Sequence, residues 1–255
     1  MAFDSKDPFI HSSFLIYQAL SELKNPFVFH EDENQWALKS GVENPYFNFL
    51  VLKESSDSSF EKAKNFFDSL PFECTFNSRD KDLIDKCVNS EFIFGEDITG
   101  FVLDFEDFND EFAPHKDIVI QRVNSDSLIK NWNNVVALCF GLSKNYVKSF
   151  FYPLYASGHP QFNFSLGFLN GLPATASLIF VNPPVSSIFC LATLPRFRNK
   201  GITSSLLQEE LSLARMKKAL TCTVQASFLG KTIYKKLGFK KEKELATYIY
   251  LPKMT

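Results

Sequence analysis

The chain has 255 residues, of which 45% are hydrophobic and 22% are charged, and its net charge is −2. This composition is that of a folded globular protein and excludes disordered, collagen-like and fibrous chains. The longest apolar runs are far shorter than the roughly 18 residues that a membrane span needs, and Met1–Asp7 has no apolar core of a secretory signal.

The charges are distributed unevenly along the chain. Residues 195–255 contain 13 basic and 4 acidic residues, whereas residues 1–194 contain 14 basic and 25 acidic residues. A basic C-terminal quarter indicates an anionic partner for that segment. A solvated, lysine-rich face is the alternative that charge alone leaves open.

The first half is predicted to mix helices and strands, because apolar residues recur at helical spacing in some segments and form short continuous runs in others. In chain order the elements are a helix over Pro8–Leu23, strands over Val28–His30, Gln35–Lys39 and Asn48–Lys53, helices over Ser59–Ser69 and Arg79–Asn89, and a strand over Gly100–Phe105. Asp80 is the predicted N-cap of the third helix. The acidic, aperiodic residues 104–117 that follow are the predicted boundary between two domains, with an acidic substrate-facing loop as the alternative.

The second half is predicted to be α/β with a mixed sheet. Asn170-Gly171 between two apolar runs predicts a two-residue hairpin turn. The elements are strands over Asp117–Val123, Phe162–Leu169, Leu172–Phe180, Ser186–Thr193, Leu220–Gln225 and Leu245–Leu251, and helices over Ser125–Phe140, Ser143–Leu154, Lys200–Lys217 and Gly230–Leu237. The alternation of strand and helix after Ser186 predicts parallel pairing there.

The segment from Ile188 onward has the chemistry of an anion site. An apolar strand leads through a short basic turn directly into a helix, whose first backbone N–H groups are unpaired and carry partial positive charge. Gly201 allows a phosphate close to the backbone, and Arg196, Arg198 and Lys200 add positive charge. The turn lacks the glycine pattern of a P-loop or of a dinucleotide fold. It therefore predicts phosphate binding, with a merely basic helix start as the alternative.

These residues resemble the central motif of the GCN5-related N-acetyltransferases, Arg/Gln-x-x-Gly-x-Gly/Ala, which reads Arg198-x-x-Gly201-x-Thr203 here after a proline at position 195. The later run Gln225-Ala226-Ser227, Gly230 and 234–239 (YKKLGF) is similar to the family's second landmark. The resemblance implies that residues 117–255 form an acetyl-CoA-binding N-acetyltransferase domain. Residues 1–112 more weakly resemble the degenerate N-terminal domain of two-domain members, through Trp36, residues 40–42 (SGV), 45–48 (PYFN) and 70–72 (LPF).

The resemblance also implies a mechanism. The pyrophosphate of acetyl-CoA would lie on the backbone of the turn and the first helical residues, and the pantetheine arm would pair with the strand. A substrate amine would attack the thioester directly, and Tyr234 would protonate the leaving thiolate. The implied binding residues are Leu191, Thr193, Arg198, Asn199, Lys200, Gly201, Ile202, Thr203 and Ser204.

Two departures from the family pattern leave the function open between an enzyme and a binding protein. Thr203 replaces the usual glycine or alanine, so it either crowds the pyrophosphate or donates a hydrogen bond to it. The strand Ile188–Thr193 has no carboxylate that could act as a base. The alternatives to an N-acetyltransferase are a non-catalytic acyl-CoA-binding regulatory module and an interaction scaffold.

The remaining expectations concern partners and location. The acceptor is expected to be a small-molecule or peptide amine, with no nucleic-acid or membrane partner, and a homodimer is left open. No metal is expected, because the four histidines are scattered and no close-spaced cysteine pair occurs. The chain has five cysteines, an odd number without a close-spaced pair, which indicates a reduced, cytoplasmic setting. Cys190 and Cys222 lie on strands predicted to be neighbours and are expected to be buried structural thiols.

Overall fold

The computed structural model describes residues 8–23, 26–33, 35–52, 57–108, 115–226 and 230–253, and these form two compact units. Unit 1 comprises the described residues of Met1–Gly100, Ala226–Phe228 and Glu242–Thr255. Unit 2 comprises those of Phe101–Gln225 and Leu229–Lys241. No helix in the described ranges is long and apolar enough to cross a membrane.

Helices and strands alternate through both units. In chain order they are α1 (Pro8–Ser21), β1 (Val28–Glu31), β2 (Gln35–Lys39), β3 (Phe49–Leu52), α2 (Asp57–Phe67), β4 (Phe72–Asn77), α3 (Lys81–Asn89), β5 (Ile93–Asp104), β6 (Ile118–Arg122), α4 (Asp126–Phe140), α5 (Lys144–Ala156), β7 (Phe162–Leu169), β8 (Leu172–Asn182), β9 (Val185–Thr193), α6 (Ile202–Met216), β10 (Thr221–Ala226), α7 (Lys231–Lys236) and β11 (Lys240–Tyr250).

In unit 1 the strands lie in the order β1-β2-β3-β4-β11-β5. Strands β3 and β4 are parallel, whereas β1 with β2, β2 with β3, and β4 with β11 are antiparallel. Phe60 and Phe67 of α2, Phe72 of β4, and Leu83 and Cys87 of α3 are buried in one core cluster. The predicted N-cap of α3 is confirmed, since Asp80 accepts a hydrogen bond from the Leu83 N–H at 3.0 Å.

In unit 2 the strands lie in the order β5-β10-β9-β8-β7-β6, with residues 101–104 of β5. The predicted parallel pairing is confirmed between β9 and β10, and β6 to β9 pair antiparallel. Asn170 and Gly171 form the β7–β8 turn with φ of 51° and 74°, as the sequence predicts. Trp132 of α4 fills the core beneath β8 and donates from Nε1 to the Ser177 carbonyl at 2.8 Å.

The observed division of the chain differs from the predicted one at its boundaries. The sequence predicts consecutive domains over 1–112 and 117–255, whereas unit 1 ends at Gly100 and includes the C-terminal residues from Glu242. The reason is strand pairing, because residues 245–250 of β11 pair with residues 72–77 of β4. Residues 109–114 of the predicted linker lie outside the described part of the chain.

The landmark residues 40–48 and 70–72 of unit 1 meet at one buried amide. The Asn48 carbonyl oxygen accepts hydrogen bonds from the backbone N–H and the hydroxyl of Ser40, at 2.9 and 3.2 Å. Its Nδ2 donates to the carbonyls of Val42, Asn44 and Pro71, at 2.8, 3.3 and 2.9 Å. The Asn48 side chain is fully buried. The Asn48 amide therefore joins the chain segment around residues 40–48 to the segment at Pro71, which gives these landmark residues a structural role.

We expect Asn48→Ala to lower the free energy of unfolding by about 3 kcal/mol, because it leaves several buried polar groups unpaired. Urea denaturation measures this change. The matched control is Asn44→Ala, which removes a single cap on the Tyr46 N–H and should cost about 1 kcal/mol or less. Equal losses in the two variants would contradict the organising role of Asn48.

Candidate functional site

Strand β9 carries an irregularity near its end. Ala176 of β8 is opposite Ala192 and Leu178 is opposite Phe189, so that Cys190 and Leu191 together face the single residue Ser177. Cys190 takes a positive φ of 50° at this bulge. A bulge bends its strand and turns backbone groups away from the regular ladder.

Strands β9 and β10 separate at the same level of the sheet. Their parallel pairs run from Val185↔Thr221 to Ile188↔Val224, after which β9 continues to Thr193. The backbone of β9 beyond Ile188 therefore has no paired residue of β10 among the described residues. An extended ligand with amide groups can pair with such a strand edge.

The loop after β9 forms an open turn at the start of α6. Phe197 anchors it by packing with Leu169, Ala174 and Ile202 in a small buried cluster. Gly201 has a φ of 76°, and a Cβ placed there would meet no described atom within 4 Å. The first helical hydrogen bond comes from the Ser205 N–H to the Gly201 carbonyl, so the three preceding N–H groups have no helical acceptor.

The basic side chains of this loop are held in place. Arg198 donates from Nε to the Thr193 carbonyl at 3.0 Å, which ties the loop to the end of β9. The Arg196 guanidinium carbon and the Lys200 Nζ lie 4.6 and 5.8 Å from the centre of the Phe197 ring. Burial raises the pKa of the Cys139 thiol, and the Arg198 guanidinium beside it opposes that rise. The loop therefore presents three cations at a helix N-terminus, where anions are favoured.

The hydroxyl of Thr203 is engaged by the sheet. Its Oγ1 lies 2.7 Å from Thr193 Oγ1, which lies 2.9 Å from Thr175 Oγ1. The Thr175 hydroxyl also donates to the Ala192 carbonyl at 2.9 Å. This chain of three hydroxyls joins β8, β9 and the first turn of α6. It supplies a structural reason for a threonine at this position, and its effect on pyrophosphate binding stays a prediction.

Tyr234 is buried on α7, with 4% of its surface exposed. Its ring lies 6.1 Å from Phe101 and 5.4 Å from Phe239, between ring centres. Burial raises the pKa of the Tyr234 phenol above its ordinary value, and the Cys222 thiol adds to the rise. The other predicted site residues lie on the continuous segment from β9 into α6, whereas Tyr234 lies near Cys222 of β10, the strand next to β9.

Comparison with known proteins rests on structure alone. No family model and no curated protein sequence match the chain. A conserved protein of unknown function from Staphylococcus epidermidis is similar with a TM-score of 0.69 and 17% identity, over 88% of this chain and 93% of that one. A GCN5-related N-acetyltransferase from Kribbella flavida is similar with a TM-score of 0.65 and 14% identity, over 92% and 93%. A tandem GNAT protein from the clavulanic acid biosynthesis pathway is similar with a TM-score of 0.58 and 9% identity, over 87% and 80%.

The chain has the GCN5-related N-acetyltransferase (GNAT) fold. The predicted fold class is thereby confirmed. The matched spans take in most of both units, so the fold likeness is not restricted to the C-terminal part of the chain.

Sequence reasoning missed a buried polar cluster inside this GNAT fold. Glu210 of α6 is fully buried, and its Oε2 lies 2.7 Å from Arg122 Nη1. Its Oε1 accepts a hydrogen bond from Ser177 at 2.7 Å, and Arg122 also donates to Ser165. A signal existed, because Glu210 interrupts the inward-facing apolar positions of its helix, but its partner lies 88 residues away.

The cysteines of the chain are free thiols in different surroundings. Cys222 is buried, as expected, whereas Cys190 is only partly buried, and loss of hydration raises the pKa of both free thiols to about 12. They lie on neighbouring strands, but Cys222 pairs with Ser186 rather than with Cys190. The thiols that contact each other are Cys74 and Cys87 of unit 1. No group of three or more metal-ligating side chains occurs within the described ranges.

Proposed function

We propose that unit 2 binds acetyl-CoA and transfers its acetyl group to a primary amine. The observation that carries this proposal is the separation of β9 from β10 beyond Ile188, directly before the glycine-bearing turn at the start of α6. An extended backbone edge and an anion-attracting turn in succession match an extended amide arm that ends in a pyrophosphate.

The binding residues follow from this placement. The backbone of Leu191 and Thr193 would pair with the amides of the pantetheine arm. The pyrophosphate would accept hydrogen bonds from the turn and the first helical residues, namely Arg198, Asn199, Lys200, Gly201, Ile202, Thr203 and Ser204. The open space at Gly201 supports the fit, because a phosphate can approach the backbone there without meeting a side chain.

The proposed reaction is a direct transfer. The amine nitrogen attacks the thioester carbonyl carbon, the new C–N bond forms, and the C–S bond breaks. Tyr234 donates its phenolic proton to the leaving thiolate, the attacking nitrogen loses a proton to water, and solvent then returns a proton to the Tyr234 phenolate. A phenol with an ordinary pKa is already protonated at neutral pH, and the raised pKa of Tyr234 preserves that state.

The proposal also covers the amine acceptor and the cellular compartment. The acidic balance of residues 1–194 favours a cationic amine, either a small molecule or a peptide, over an acidic one. All five cysteines are free thiols, which supports a reducing compartment such as the cytoplasm. A homodimer stays open, and we propose no nucleic-acid or membrane partner.

A non-catalytic acyl-CoA-binding module is the second candidate. The observation that favours it is the absence of a carboxylate from β9, whose residues 185–193 are VSSIFCLAT. In that case the same segment would bind acetyl-CoA and the amine step would be missing. The two candidates share the binding site and differ in turnover.

Calorimetric titration of the full chain with acetyl-CoA tests the shared part of the proposal. We expect a Kd in the micromolar range, weakened about tenfold by Arg198→Ala. The matched control is Arg215→Ala, an exposed arginine at the other end of α6, which should change Kd less than about twofold. The absence of binding to the native chain would overturn both candidates. Thiol release with an amine then separates enzyme from binding module.

A further inference from the structure

Unit 2 contains a cavity of about 330 Å³ away from the proposed acetyl-CoA site. It lies beside the end of β6, the start of β7 and the C-terminal end of α5. The residues that matter for its chemistry are Arg122, Tyr155, His159, Phe162, Asn163 and Phe164.

The cavity and the proposed site lie at opposite ends of α6. The helix begins at Ile202, next to the anion-binding turn, and ends at Met216, so it spans about 22 Å. The next residue, Lys217, donates from Nζ to the Pro160 carbonyl at 3.2 Å and to Asn163 Oδ1 at 3.3 Å. Both acceptors belong to residues that line the cavity.

The side chain of Arg122 is oriented by a buried carboxylate. Arg122 lies 2.7 Å from the buried carboxylate of Glu210, yet 39% of its own side chain is exposed. A buried carboxylate holds a guanidinium in one orientation, because separating the pair would leave a charge unpaired in the interior. Arg122 thus presents a pre-oriented set of donors, and an arginine fork suits carboxylate geometry.

Positive charge exceeds negative charge by one among three groups at or next to the cavity. Arg122 lines it, Lys217 bonds to two of its lining residues, and Glu210 is the buried anion paired with Arg122. Partial burial lowers the pKa of Lys217, and the nearby positive charge of Arg122 lowers it further. The Asp126 carboxylate acts on the lining residue Tyr155 and accepts a hydrogen bond from Tyr152 at 3.5 Å. Asp126 is exposed, so solvent screens its charge.

The rest of the lining is aromatic. Tyr155 and Phe164 meet edge to face with ring centres 6.3 Å apart, and His159 and Phe162 do so at 5.4 Å. The volume lies at the lower end of the roughly 300–1,000 Å³ of small-molecule sites. It suits a single substituted ring.

We propose that this cavity binds a small aromatic monocarboxylate, with the carboxylate between Arg122 and Lys217 and the ring against Tyr155, Phe162 and Phe164. The excess of one positive charge selects a monoanion. The site is independent of the proposed function, because none of its residues belongs to the segment from β9 into α6.

Calorimetric titration of the full chain with phenylacetate tests the proposal. We expect binding that is at least about tenfold tighter than that of phenylacetamide, the neutral isostere, and of inorganic phosphate, which lacks the ring. Lys217→Met should weaken phenylacetate binding at least about fivefold, whereas the control Lys218→Met, one exposed residue further along, should change it less than about twofold.

Saturating acetyl-CoA should leave the phenylacetate affinity within about twofold, since the two sites lie at opposite ends of α6. Four results would each overturn the proposal: no binding of phenylacetate, equal binding of its amide or of phosphate, equal effects of the two lysine variants, or competition with acetyl-CoA. The comparison of acid with amide uses the native chain, so it does not depend on how well a variant folds.

Discussion

Gly201→Glu is expected to weaken acetyl-CoA binding at least about 100-fold, whereas Gly201→Gln should weaken it about tenfold or less. Both side chains impose the same backbone strain, because Gly201 has a φ of 76° and a residue with a Cβ is unfavourable there by roughly 1–2 kcal/mol. A Cβ at this position meets no described atom within 4 Å in either variant. The two variants therefore differ only in a negative charge at the place proposed for a pyrophosphate.

Stability and binding should change in opposite directions in this pair. A carboxylate at the start of α6 interacts favourably with the helix dipole, by about 0.3–1 kcal/mol. Gly201→Glu should therefore be as resistant to thermal unfolding as Gly201→Gln, or slightly more so, while binding acetyl-CoA far less. Calorimetric titration and thermal denaturation measure the two effects. If both variants lost the same affinity, the turn would not bind an anion.

Local signals were sufficient to predict the segment that carries the proposed site. The hairpin at Asn170-Gly171 and the cap at Asp80 depend on residues within a few positions of each other, and both are confirmed. The turn at Gly201 is equally local, because strand, basic turn and helix follow one another without interruption. Backbone preferences and helix-end chemistry act over these short distances, so the sequence expresses them directly.

Strand β4 was missed although its sequence carries the relevant pattern. Phe72, Cys74 and Phe76 alternate with partly or fully exposed residues, which is the period of a half-buried strand. Strand β5 begins at Ile93, whereas the sequence predicts a start at Gly100. The first residues of β5 are mostly exposed and form no apolar run, so the sequence contains no strand signal there. A strand of this kind is stabilised by its neighbours in the sheet, and those neighbours are distant in sequence.

Register and long-range contacts could not be predicted from one sequence. Cys190 and Cys222 lie on neighbouring strands, as the sequence predicts, but the register that places Ser186 opposite Cys222 could not be predicted. Register depends on which faces of the whole sheet are buried. The left-handed conformation of Cys190 and the pairing of Glu210 with Arg122 likewise arise only after the chain has folded.

Tyr234→Phe should lower kcat of acetyl transfer about 100-fold or more and leave the Kd of acetyl-CoA within about twofold. The substitution removes one hydroxyl and keeps the ring that packs against Phe101 and Phe239, so the fold and the binding segment are preserved. The matched control is Tyr248→Phe, a buried tyrosine of unit 1 whose ring stacks on Phe76 at 5.4 Å. That variant should keep the native kcat.

The pH dependence gives a second readout of the same role. A general acid is active below its pKa, and burial raises the pKa of Tyr234 above the ordinary value of a phenol. The native kcat should therefore show no loss from this group as pH rises to about 9. The kcat of Tyr234→Phe should be low at every pH in that range, instead of falling only above or only below one pKa.

Turnover by Tyr234→Phe at the native rate would show that another group protonates the thiolate. A native chain that binds acetyl-CoA but releases no thiol with polyamines, lysine peptides or aminoglycosides would favour the non-catalytic module. The variant distinguishes these cases only together with the binding measurement, because lost binding and lost proton transfer both lower the observed rate. An unchanged Kd with a lowered kcat is the result that assigns Tyr234 to the chemical step.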